Sequence, residues 1–68
     1  MITPQQIRAA RAAIGWTQDQ LAEKAQLSSD GIRAIEAGRR DPRVSTIKRI
    51  KAALEAGGAR FTATGVDL

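Results

Sequence analysis

Apolar residues recur along the chain at helical spacing in four separate blocks. Ile7, Ala10 and Ile14 fall on one face of a first helix, and Leu21 and Ala25 on one face of a second. Ile32 and Ile35 do the same in a third, and Ile47, Ile50 and Leu54 in a fourth. Three of the blocks open with the same device. Thr3 is an N-cap, Pro4 suits the first helical position, Gln6 completes a capping box, and Ile2 with Ile7 forms a hydrophobic staple. Thr17 repeats this pattern with Gln20 as box partner and with Trp16 and Leu21 as staple. Ser28 repeats half of it: Leu27 and Ile32 make the staple, but Gly31 stands where Glu or Gln closes the box. Ser45 is expected to cap the fourth helix, with Val44 just outside it. Gly15, Gly38 and the pair Gly57-Gly58 mark the stops, because glycine takes the left-handed conformation that ends a helix. Pro42 falls in the loop between the third and fourth helices, where it breaks nothing.

After Gly58 the period changes. Phe61 and Ala63 alternate with Arg60, Thr62 and Thr64, and Val66 and Leu68 alternate around Asp67, predicting one or two short strands about Gly65. The chain therefore reads as an all-α, four-helix domain over residues 1–58 with an extended or β tail over 59–68. A lone strand on a helical domain leaves unpaired backbone, so the tail is expected to serve as a dimerisation strand. The alternative is a tail packed on its own domain or frayed.

Composition narrows the function classes. Sixty-eight residues make one domain, near the lower limit for a chain that builds its own core. There is no cysteine and no histidine, which removes disulfides, thiolate metal sites, the usual general base and the commonest metal ligand. The carboxylates stand at no catalytic spacing and no glycine-rich phosphate loop is present. No catalytic residue, metal, cofactor or small-molecule ligand is expected, and an enzyme is the least supported class. No segment approaches the ~20 apolar residues that cross a bilayer, and no signal-peptide pattern opens the chain. No membrane partner is expected, and the cytoplasm is the expected compartment.

The net charge of +4 is unevenly placed. From Arg33 to Lys51 there are seven basic residues against Glu36 and Asp41, an excess of five positive charges; the rest of the chain carries one net negative charge. A basic stretch of this kind is the electrostatic footprint of a phosphate-binding surface. It directly follows two short helices joined by a tight turn, the second opening on serines. That layout belongs to a unit that lays one helix in the DNA major groove.

The segment Gln18–Ala37 resembles the helix-turn-helix of the Cro/C1-type (XRE-like) repressor family. The residues that carry the resemblance are Thr17-Gln18 with Leu21-Ala22, then Leu27-Ser28, Ile32 and Ile35-Glu36-Ala37-Gly38, then Pro42 and the Ile47/Ile50/Leu54 helix. It extends from Thr3 to about Leu54. Ala22 must be small where the third helix crosses the second, and Leu21, Ile32 and Ile35 form the wedge that sets their angle. The resemblance implies an ion bridge between Arg11 and Glu36, joining the first helix to the end of the third, and a phosphate held at Gln18. Two positions depart from the family pattern. Gln26 stands where the turn usually has glycine, which costs on the order of 1–2 kcal/mol in a left-handed conformation. Gly31 weakens the first turn of the third helix, and its bare backbone is a candidate point of close approach to DNA.

Ser28, Ser29, Asp30 and Arg33, at the start of the third helix, are the candidate base readers. Arg33 suits guanine O6 and N7, which accept two bonds from one guanidinium; Asp30 either accepts from cytosine N4 or simply favours the positive end of its helix. Arg39, Arg40 and Arg43 are the candidate phosphate binders with Gln18, and Lys48 or Arg49 is the outlying one. The leading expectation is a dimeric, sequence-specific regulator of double-stranded DNA, a repressor or autoregulator acting on an inverted repeat. Phage repressors, controllers of restriction–modification systems, regulators of mobile elements and antitoxins all share this appearance. The alternative is a protein-binding adaptor, antiactivator or antitoxin on the same fold, with a protein partner in place of DNA. An RNA-binding role lacks a stacking platform, since Trp16 and Phe61 are the only aromatics and both suit packing.

Overall fold

The computed structural model describes residues 2–63 and 65–67. In chain order these form α1 (Pro4–Ala13), α2 (Gln18–Ala25), α3 (Ser29–Glu36), α4 (Val44–Ala56), β1 (Arg60–Phe61) and β2 (Val66–Asp67). The helices start where their side chains dictate. Thr3 and Thr17 each accept from the main-chain N–H three residues on, and Gln6 and Gln20 return the bond to the cap's own N–H at 2.9 and 2.8 Å. Ser28 Oγ accepts from Gly31 N–H at 3.0 Å.

The fourth start corrects the expectation for Ser45. α4 begins at Val44, with extended Arg43 as N-cap and no side-chain cap bond. Its first helical bond runs from Ile47 N–H to the Arg43 carbonyl at 3.0 Å. Val44 is therefore the first helical residue and is left exposed, while Ile47 is buried. Burial of Ile47, Ile50 and Leu54 places this helix, and Ser45 ends up inside its first turn.

The helix ends share one geometry. Trp16, Leu27, Arg39 and Ala59 each donate a main-chain N–H to the carbonyl five residues back, closing the Schellman turn that satisfies orphan helix carbonyls. The residue before each has positive φ: Gly15, Gln26, Gly38 and Gly58. Gln26 adopts φ 58° and ψ 47°, so the turn between α2 and α3 is formed in the ordinary way at the cost of a strained non-glycine residue. The Arg49 guanidinium on α4 donates to the Gln26 carbonyl and ties that turn to the core helix behind it.

Of the pair Gly57-Gly58, only Gly58 is left-handed. Gly57 has another use: a Cβ there would meet the Trp16 ring at 2.7 Å and Ile14 at 2.9 Å. Glycine lets the end of α4 lie against the α1–α2 corner. Around this frame the core gathers Ile7, Ala10, Leu21, Ala22, Ala25, Ile32, Ile35, Ile47, Ile50, Leu54 and Ala59. Ala22, buried between α2 and its neighbours, has the small side chain the helix crossing needs.

The tail pairs with itself. β1 and β2 form an antiparallel hairpin in the register Arg60 with Asp67 and Phe61 with Val66. Half-buried Phe61 and Val66 pack against the core, and Gln6 of α1 donates to the Thr62 carbonyl at 3.4 Å. The expected open strand is thus closed within the chain. The places of Thr64 and Leu68 in the alternation lie outside the described residues.

Replacing Gly57 by alanine should lower stability by about 1–3 kcal/mol, because a methyl group there would overlap the Trp16 ring and Ile14, which must shift. Urea denaturation measures this, and an unchanged midpoint would mean that the α4 end does not seat Trp16 as described.

Candidate nucleic-acid interface

α2 and α3 form the two-helix unit that the spacing predicted, joined by Gln26, Leu27 and Ser28. The orientation of α3 is set by a carboxylate. Glu36, at its last turn, is only 2% exposed yet charged by chemistry. Arg11 of α1 donates Nε to Oε2 at 2.9 Å and Nη2 to Oε1 at 3.1 Å, a two-pronged pair. Gln18 of α2 adds a third bond, Nε2 to Oε1 at 3.2 Å. Arg11 also donates Nη1 to the Trp16 carbonyl at 3.0 Å, and Arg8 donates to the main-chain carbonyl of Glu36. One buried group therefore joins three helices and the α1–α2 corner. Among the described residues no buried side-chain nitrogen or oxygen lacks a partner.

The Arg11–Glu36 pair implied by the family resemblance is present in the structure. Gln18 sits differently from a simple phosphate donor: its side-chain amide faces Glu36. Its main-chain N–H still lies at the first position of α2, where helix amides have no partner inside the helix.

The opposite end of α3 is open. Ser28 caps the helix, Ser29 is half-buried, and Asp30 and Arg33 are exposed. Arg33 Nη1 donates to Asp30 Oδ1 at 2.9 Å, and Nη2 reaches Asp19 Oδ1 at 3.4 Å. Asp19 is a residue that the sequence reading did not single out. It lies fourteen positions from Arg33, on a different helix, and no local pattern signals the contact. Gly31 is buried and not a bare surface: a Cβ would sit 3.0 Å from the Ser28 hydroxyl, so the small residue protects the cap.

The basic loop after α3 returns to the same end. A cleft of about 270 Å³ is lined by Ser28 and Gly31 on one side and by Arg40 and Arg43 on the other. Arg40 Nη1 stands 3.8 Å from the point a Gly31 Cβ would occupy. Gly38 turns the chain out of α3, and Arg39 follows it, exposed. The fold thus gathers Ser28, Arg40 and Arg43 beside the start of α3. Arg49 is set apart by its bond to the Gln26 carbonyl, and Lys48 lines a separate cleft with Ile2, Val44 and Phe61.

Among the described residues no group of histidine, cysteine or carboxylate side chains is placed to hold a metal, and no helix is long and apolar enough to cross a membrane. The chain matches the helix-turn-helix family over residues 7–57, a span that includes the whole of α2, α3 and α4. It belongs to that family, in its XRE (Cro/C1) type. A solved structure of the same kind is the restriction–modification controller protein C.AhdI from Aeromonas hydrophila. It is 29% identical, with 76% of this chain and 79% of that chain covered at a TM-score of 0.75. No curated protein matches the chain. Family membership makes this protein a DNA-binding transcription regulator and not an enzyme.

Glu36→Ala should cost about 3–5 kcal/mol, because it strands the Arg11 charge against the core and removes the acceptor for Gln18. In a domain of this size that leaves much of the protein unfolded at room temperature, which circular dichroism reads directly. A loss below about 1 kcal/mol, the level of an exposed pair, would show that the network does not hold α3.

Proposed function

We propose that this protein is a sequence-specific transcription regulator that binds double-stranded DNA as a homodimer on an inverted repeat, in the cytoplasm, and represses or autoregulates its own promoter. The observation that carries the proposal is the company kept by the start of α3. Asp30 and Arg33 are exposed on α3, and Ser28 and Gly31 at the start of the same helix line a cleft with Arg40 and Arg43. Ser29, Asp30 and Arg33 would meet base edges, with Ser28 chiefly a cap. Arg39, Arg40, Arg43 and the first amides of α2 at Gln18 would hold the phosphates on either side. Phosphate contacts set register, and base contacts supply the sequence preference.

Dimerisation follows from scale. One α3 reads only a few base pairs, and two copies related by a two-fold axis read half-sites about 34–36 Å apart along one face of the duplex. Any part the tail plays in that dimer comes from the outer edges of its hairpin, since the inner edges are already paired. Likeness to a restriction–modification controller protein favours a regulatory role for this chain.

Two arginine variants separate the roles. Arg33→Ala should relax preference at one base pair per half-site by about 1–3 kcal/mol. Arg39→Ala should weaken all duplexes alike and reduce the slope of log affinity against log salt by about one unit. If neither variant changes DNA affinity, α3 and its loop do not face DNA, and a protein partner becomes the better reading.

A further inference from the structure

Arg33 does not face solvent with an unengaged guanidinium. Asp30 accepts from it within α3, and Asp19 accepts from it across the junction with α2, at 2.9 and 3.4 Å. The side chains of Asp30 and Asp19 are themselves open, 97% and 71% exposed, and that of Arg33 is 48% exposed. Each aspartate stands at the second position of its helix, following Thr17-Gln18 and Ser28-Ser29 respectively. The cluster of one cation and two anions carries a net negative charge.

A carboxylate in the first turn of a helix is favourable through the helix dipole alone. That role requires no contact with Arg33, and Asp19 makes one. We propose that Asp19 is an affinity-setting residue: with Asp30 it competes with the matching base pair for the Arg33 guanidinium, which is given up only to a base pair that replaces both acceptors. The proposal rests on Arg33 as a base reader. Guanine O6 and N7 accept two bonds from one guanidinium and so restore what the carboxylates gave up. A wrong base pair offers no such pair of acceptors. There Arg33 stays with its carboxylates, and the pairs are not broken. Asp19 and Asp30 thus lower affinity for all DNA through their charge, and lower it more for the matching DNA, because only that complex breaks the pairs.

The test uses the full chain as wild type, Asp19→Asn, Arg33→Ala and the double variant. Each is titrated by fluorescence anisotropy against the tightest duplex that wild type selects from a randomised pool, and against a scrambled duplex of the same composition. Asparagine keeps the size of Asp19 and removes its charge. Asp19→Asn should strengthen binding to the selected duplex by about fivefold, the upper range for one exposed pair, and to the scrambled duplex by less than about twofold. In the Arg33→Ala background the same change should strengthen both duplexes by one common factor, because only net charge remains to act.

Equal strengthening of both duplexes by Asp19→Asn while Arg33 is present would overturn the proposal, leaving Asp19 as a helix-end charge. Failure of the regulator reading looks different. Wild type would then select no preferred duplex at all, and the Arg33 assignment would fall with it before any variant was compared.

Discussion

The buried carboxylate of Glu36 is the constraint on which the rest of the structure depends. Taking a charge out of water costs several kcal/mol unless donors surround it. Here the donors come from Arg11 on α1 and Gln18 on α2, while Glu36 itself ends α3. The three helices must therefore arrive together or the charge is left unpaired. Stability of about 0.05–0.15 kcal/mol per residue leaves a 68-residue chain little margin, so this one group bears on both folding and the aim of α3. The network lies at the C-terminal end of α3, and the start of that helix is left free to meet a ligand.

The same division runs through the helix-turn-helix turn. Gln26 holds the left-handed conformation that glycine takes at the other three helix ends, and Arg49 from α4 reaches its carbonyl. A long side chain at the turn carries strain, and a cation on the helix behind secures it. Rigid support on one side and exposed polar side chains on the other are what base reading requires, because misplaced donors lose the two-bond geometry with a base edge.

Elements governed by neighbours in sequence were legible in it. The capping boxes at Thr3 and Thr17 and the Ser28 cap depend on residues three apart, and each forms as the spacing predicts. Where a distant contact outweighs a local preference, the local reading misplaces the element. Ser45 is a good cap by type, yet α4 starts earlier, at Val44, with Ile47 buried. Gly57 caps the end of α4 as read, without the left-handed conformation, and it also makes room for Trp16, forty-one positions away. The tail alternates as a strand should, but alternation does not say which edge it meets; the turn bonds between Thr62 and Gly65 fold it onto itself. At the candidate interface, clustered charge made the basic loop visible. The contact between Asp19 and Arg33 was not, since it exists only once α2 and α3 have crossed.

The central claim is that this fold reads a particular DNA sequence. The most direct measurement is a titration of the purified protein against the DNA upstream of its own gene and against a scrambled duplex, each at two salt concentrations. The account predicts tighter, cooperative binding to the upstream DNA, with a preference that survives the higher salt. Weak and equal binding to both duplexes, abolished by salt, would contradict it and reduce the basic surface to nonspecific charge attraction.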